Sequence, residues 1–184
     1  MGIRTVTKRY DFSEEDIAAG KYRAWDLIQP VWDNVSIYDG LEQYNKDLEP
    51  FSDGQRKILA LMWYDAEVNN GGHDQFFSNS TGIVWKDALE CMRMIGAVKC
   101  AENFQRAIDM FGGEVPFDRD KRNDALDEIC EDEDFDDFEE IDDFYYDEDD
   151  AEDVDQMMDD YVKAHAAEFV VHGDYLSYEV EGGF

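Results

Sequence analysis

The chain has 184 residues, 43% of them hydrophobic and 14% aromatic, which is enough apolar material for one packed domain and excludes a chain that stays unfolded. Against 47 Asp plus Glu stand 16 Lys plus Arg, a formal net charge of -31, so direct binding of a phosphate backbone is disfavoured and a cationic partner surface is favoured. Cys91, Cys100 and Cys130 are an odd number without a C-x-x-C pair, which argues against a disulfide framework or a zinc site and predicts buried thiols in a reducing compartment.

Ser13 with Asp16 forms a capping pair for a first helix that stops near Gly20, and Tyr22, Trp25 and Ile28 mark a short helix before Pro30. Ser52 with Gln55 opens a longer one, lined by Ile58, Leu61, Met62, Tyr64 and Val68 and ending at Gly71. Val84, Trp85, Ala88, Leu89, Met92 and Ile95 line the next, up to Gly96. Ala101, Phe104, Ile108 and Phe111 follow, up to Gly112, and then Ala125, Leu126 and Ile129. Each of those four glycines stands where a helix end wants positive φ. There is no β-α-β alternation and no repeat, so the predicted fold is all-α, a single compact helical domain over residues 1–184. Residues 170–184, with Gly173-Asp174 between two β-prone stretches, are predicted as a small β-hairpin or an irregular tail. No charged-then-apolar leader follows Met1 and no apolar run approaches the roughly eighteen residues of a spanning helix, which predicts a soluble cytoplasmic protein.

The charge is concentrated. Residues 124–160 carry 22 Asp plus Glu and no Lys or Arg, while the rest of the chain holds 25 acids against 16 bases. A like-charge block is ordinarily a solvated tail, but here the apolar residues keep helical spacing. Ala151, Val154, Met158, Tyr161, Val162, His165 and Phe169 fall on one stripe, with Glu152, Asp153, Asp159 and Asp160 pointing away. Phe135, Phe138, Ile141 and Tyr145 form a second stripe, predicting a helix from near Asp134 to near Asp147. An acidic helical segment over 124–169, docked on the core, follows. Crowding carboxylates on docked helices costs roughly 0.2 to 0.5 kcal/mol per like-charge pair at i and i+4, a cost that a disordered tail avoids. The expense implies that fixed positions of negative charge matter. At about 1.5 Å rise the segment would present a carboxylate per roughly 2.5 Å, the same order as the one phosphate per about 1.7 Å of duplex DNA. The candidate partner-binding residues are Asp132, Asp134, Asp136, Asp137, Glu139, Glu140, Asp142, Asp143, Asp147, Glu148, Asp149, Asp150, Glu152 and Asp153.

Other chemistry is weakly represented. No Gly occurs in residues 124–172, so no EF-hand loop is present there. His73, His165 and His172 show no metal-ligand spacing, and there is no nucleophile elbow, P-loop or dinucleotide fingerprint. Cys91 with His73 is a formal nucleophile and base, yet Cys91 sits in an apolar helix and reads as packing, as His165 does on its stripe. The expectation is no enzyme, no metal and no cofactor.

The sharpest local pattern is Glu67-Val68-Asn69-Asn70-Gly71-Gly72-His73-Asp74-Gln75-Phe76-Phe77-Ser78-Asn79-Ser80-Thr81-Gly82. Its turn chemistry reads as architecture; the competing reading is a polar pocket of Glu67, Asn69, His73, Gln75 and Asn79 that binds a small molecule or acts on it. With Trp32-Asp33, Ile37-Tyr38-Asp39-Gly40 and Gln55-Arg56 before it, the pattern resembles a bacterial acidic DNA-mimic protein family, over a family-like helical core at 31–122. The resemblance implies a helical fold, a homodimer, no cofactor and, as partner, a DNA-binding transcription regulator of the helix-turn-helix type that is kept from its operator. The acidic segment is expected to be an addition to the shared domain, and to carry the function. The alternatives are an acidic chaperone of histone-like or other basic nucleic-acid-binding proteins, and a role for the turn at 69–79.

Overall fold

A computed structural model describes residues 3–130, 138–147 and 151–180. Strand β1 (Ile3–Phe12) leads into α1 (Glu14–Ala18), α2 (Ala24–Trp32), α3 (Gly40–Asp47) and the long α4 (Asp53–Ser78). A 3-10 turn (Ser80–Val84), α5 (Trp85–Ile95), α6 (Val98–Met110) and α7 (Arg119–Ile129) follow. After these come α8 (Glu139–Tyr146), α9 (Val154–Ala164), a second 3-10 turn (Ala166–Phe169) and β2 (Val171–Val180). Among the described residues the fold is all-α apart from one two-stranded sheet.

The caps form as the sequence dictates. Ser13 Oγ accepts the Asp16 N–H at 3.2 Å, and Ser52 and Gln55 close a reciprocal box at 3.1 and 2.9 Å. Helix α4 is the hub: it touches α2, α5, α7, α8 and both 3-10 turns, with Ile58, Leu59, Leu61, Tyr64 and Val68 buried. Helix α8 packs on α4 and α6, whereas α9 packs on α1, α2 and α5, so the acidic helices grip the core on different sides.

Three local expectations are corrected. Helix α2 runs through Pro30 to Trp32; the missing N–H falls in the last turn, and Pro30 is buried with Leu27, Ile28 and Val31 while Trp25 faces solvent. Gly20, Gly96 and Gly112 do adopt positive φ, but Gly71 is extended at φ -165° and Gly72 takes the unusual conformation, φ 73° and ψ -173°. The pair kinks α4 instead of ending it, and the helix resumes to carry Phe76 and Phe77 into the core. Gly72→Ala would force a side chain into a region that costs about 1–3 kcal/mol and drive its Cβ into the Asp142 carboxylate. Its urea midpoint should therefore fall further than that of Gly112→Ala, where a Cβ meets nothing within 4 Å.

The third correction concerns the C-terminus. Residues 171–180 form no local hairpin: they pair antiparallel with β1, from Ile3↔Val180 to Phe12↔Val171, and Gly173 lies opposite Tyr10 within the ladder. A two-stranded ribbon is marginal alone. Here Tyr10, Val171 and Ser177 are buried, and the Asn34 amide clamps both the N–H and the C=O of Leu176 at 3.3 and 3.0 Å, standing in for a neighbouring strand. Cys91 and Cys100 are buried, but Cys130 lies at the surface, and His165 is exposed with its ring stacked on Tyr161 at 4.0 Å. Among the described residues no helix is long and apolar enough to cross a membrane.

Candidate functional site

Residues 67–82 divide into two hydrogen-bond networks, one at Glu67 and one at His73. The Glu67 carboxylate accepts hydrogen bonds from the Gln75 amide at 2.7 Å, the Asn79 amide at 2.9 Å and the Thr81 hydroxyl at 3.1 Å. One carboxylate thus ties the helix before the kink to the helix and turn after it. Asn69 belongs elsewhere, donating to Asp65, and the five-residue polar pocket does not assemble. Gly82, the last residue of the pattern, leaves room for the buried Arg122 guanidinium, into which any Cβ would collide. Arg122 donates to the carbonyls of Phe77 at 2.6 Å, Asn79 at 2.8 Å, Pro116 at 2.8 Å and Phe117 at 3.1 Å. Burial lowers its pKa to about 10, which still leaves a cation at neutral pH.

His73 faces the other way and is wholly buried. One Asp142 oxygen accepts both the His73 backbone N–H at 3.0 Å and its ring Nδ1–H at 2.5 Å. Nε2 lies 2.8 Å from the Tyr64 hydroxyl, which burial holds well above the ordinary phenol range and so keeps protonated. In a neutral ring that hydroxyl donates to Nε2. Both ring nitrogens are occupied, so the Cys91–His73 pair does not form; burial also raises the Cys91 thiol far above its usual value. The arrangement is an anchor for α8. Around it, Asn103 donates to the Ile141 carbonyl at 2.9 Å, Tyr146 to the Val68 carbonyl at 2.5 Å and Tyr145 to Asp65, with Phe138 and Ile141 buried beneath.

Helix α9 is fastened by acids within it and just before it. Glu152 accepts the Cys100 N–H at 2.9 Å in the first turn of α6, and Asp159 accepts the Ala24 N–H at 2.7 Å and the Arg23 guanidinium at 2.8 Å at the start of α2. Both place negative charge where a helix N-terminus has spare N–H groups and a positive dipole end. These two side chains therefore turn inward, not away as the stripe implied; Met158, Val162 and Phe169 bury the apolar face as expected. Asp65 carries the opposite strain: burial, and after it the nearby Asp155, raises its pKa against the lowering effect of the Tyr145 bond. A raised carboxyl pKa contributes stability below the unfolded-state value of about 3.9 that is lost as pH rises through the folded value. Asp65→Asn should thus raise the melting temperature at neutral pH, with the gain vanishing in acid when melting is followed by circular dichroism.

Of the fourteen candidate acids, Asp132, Asp134, Asp136, Asp137, Glu148, Asp149 and Asp150 lie outside the described residues. Asp142 and Glu152 are committed to the anchors just described. Glu139, Glu140, Asp143, Asp147 and Asp153 are exposed; Glu140 pairs with Arg106 at 3.1 Å and Asp153 caps α9 at 2.9 Å. Sequence reasoning left out Asp155 and Asp160, which α9 also exposes. Among the described residues no group of three or more His, Cys, Asp or Glu is placed to hold a metal ion.

The DMP19-like protein family matches residues 49–165, more than half of the chain. The chain belongs to that family. It is a family of DNA mimics and not a known enzyme family. The match takes in α8 and α9 as well as the turn at the kink, so the acidic helices are part of the family domain and not, as expected, an addition to it. Strand β1, helices α1 to α3 and strand β2 lie outside the matched span. No curated protein and no solved structure matches the chain.

Proposed function

We propose that this DMP19-like protein acts as a homodimeric, cytoplasmic DNA mimic: the α8–α9 surface binds the DNA-recognition face of a transcription regulator, of the helix-turn-helix type, and keeps it from its operator. The observation that carries the reading is the anchoring of α8. A tail that only neutralises cations needs no buried histidine, yet His73 grips Asp142 through two donors and three further side-chain bonds fix the same helix. Exposed carboxylates such as Glu139 and Asp143 are thereby held at set positions, as phosphates are along a duplex.

The test is a pull-down from native cytosol on the immobilised protein, washed at moderate salt and then eluted with duplex DNA. A DNA-binding regulator released by its own operator and retained against unrelated duplex is the expected result. Retention of many basic proteins with no operator preference would favour the chaperone reading, because histone-like proteins share charge but no operator.

A further inference from the structure

A ladder of three indole rings adjoins the acidic helix α9. Trp25 of α2, 53% exposed, contacts Trp32 with centroids 5.4 Å apart, and Trp32 stacks on Trp63 of α4 at 3.8 Å with planes 17° apart. A cleft of about 350 Å³ opens at the Trp25 end, lined by Met62, Asp65, Asp155 and Asp159. A second, of about 420 Å³, opens where Trp32 and Trp63 meet Tyr38 and the β2 residues Leu176 and Tyr178. Tyr38 is 77% exposed and Tyr178 53%, so the face presents rings to solvent, not a sealed core.

The charges around these rings are predominantly negative. Asp33 and Asp47 border the second cleft and are satisfied by neutral donors, the Ser177 hydroxyl and Gln29 amide for one and the Ser36 N–H and Gln43 amide for the other. Neither charge is neutralised by those bonds. Among the described residues lining the two clefts, Arg23 is the one cation, and Asp159 holds it. Two copies of a chain with net charge -31 would bring these carboxylates together across the face. A guanidinium, by contrast, is attracted by ring faces and carboxylates alike and is weakly hydrated enough to leave water for them.

We propose that this aromatic face binds arginine side chains of the basic partner, stacking them on Trp25, Tyr38 and Tyr178 beside the uncompensated carboxylates. The proposal rests on the DNA-mimic reading for the partner's basic character and adds a preference that charge alone does not provide. Carboxylates speed the encounter with any cation, whereas rings discriminate arginine from lysine and slow departure, as aromatic anchors do at interface centres.

The full chain is titrated with decaarginine and with decalysine at about 0.15 M salt, followed by calorimetry and by indole fluorescence. Decaarginine is expected to bind about three- to tenfold more tightly than decalysine, a difference of about 0.7 to 1.4 kcal/mol within the range of a ring–guanidinium contact, and to quench the fluorescence. Trp25→Ala with Tyr178→Ala should bring the two affinities together with decalysine binding unchanged and the circular dichroism spectrum preserved. Equal affinities in the wild type, or a preference that survives the double substitution, would overturn the proposal while salt-dependent binding of both peptides left the acidic helices in place. Absence of binding by either peptide would overturn both readings. A dimer that dissociates on substitution with the arginine preference intact would assign the face to a second copy and overturn the proposal too.

Discussion

Arg122→Met should remove more than about 4 kcal/mol of unfolding free energy, a large share of the roughly 5–15 kcal/mol of an ordinary domain. The side chain is fully buried and reaches four carbonyls from two segments, Phe77 and Asn79 after the kink and Pro116 and Phe117 before α7. A methionine fills similar volume but donates nothing, and each buried acceptor left unsatisfied costs about 1–3 kcal/mol. Relief from burying a cation offsets part of this, a burial penalty recorded in the lowered pKa of about 10. The partners are carbonyls and not a carboxylate, so no second charge is left exposed by the change, and the loss is one of hydrogen bonds. Arg122→Lys should fall between, since three donors on one nitrogen cannot span four carbonyls. Chemical unfolding orders the three proteins; Arg122→Met within about 1 kcal/mol of wild type would contradict the account.

Asp142→Ala should release α8 with a local loss of about 2–6 kcal/mol, since two buried donors lose their acceptor at roughly 1–3 kcal/mol each. The substitution strands the His73 N–H and its Nδ1–H together, because both donate to one oxygen. Asp142→Asn keeps an oxygen there and should cost less, as charge assistance alone is lost. Native-state amide exchange separates this from global unfolding: protection should collapse across 139–146 while α5 stays protected. Since the proposed function needs fixed carboxylates, the same variant should lose competition with DNA at conditions where its core remains folded. Uniform acceleration over the whole chain would instead show that α8 is not an independent unit.

Much of the helical framework is legible in the sequence because it is written locally. The Ser52–Gln55 box, the apolar ladder from Ile58 to Val68 and the stripe through Met158 and Val162 each lie within a few turns, and each appears in the fold. What escaped is written between distant residues. Strand β1 has no clean alternation and forms because β2, at the other end of the chain, pairs with it. Asp142 looks like one more acid in a run, and nothing nearby in sequence announces His73 as its partner. Glu152 and Asp159 likewise became helix-terminus ligands because folding brought Cys100 and Ala24 beneath them. At the kink, two adjacent glycines made the position of the positive φ ambiguous; it falls at Gly72, where a Cβ would meet the Asp142 carboxylate.

The acidic surface itself is tested most directly by operator displacement. Glu139, Asp143, Asp147 and Asp160 are exposed on α8, its C-cap and α9, and changing all four to Lys replaces attraction for a cationic recognition surface by repulsion. An operator-shift titration with the captured regulator compares wild type and the fourfold variant, with circular dichroism confirming that both are folded. The wild type should free the operator, more readily at low salt, and the variant should leave it bound even at about a hundredfold higher concentration, a difference of about 2.7 kcal/mol. Equal displacement by the two folded proteins would contradict phosphate mimicry by these helices.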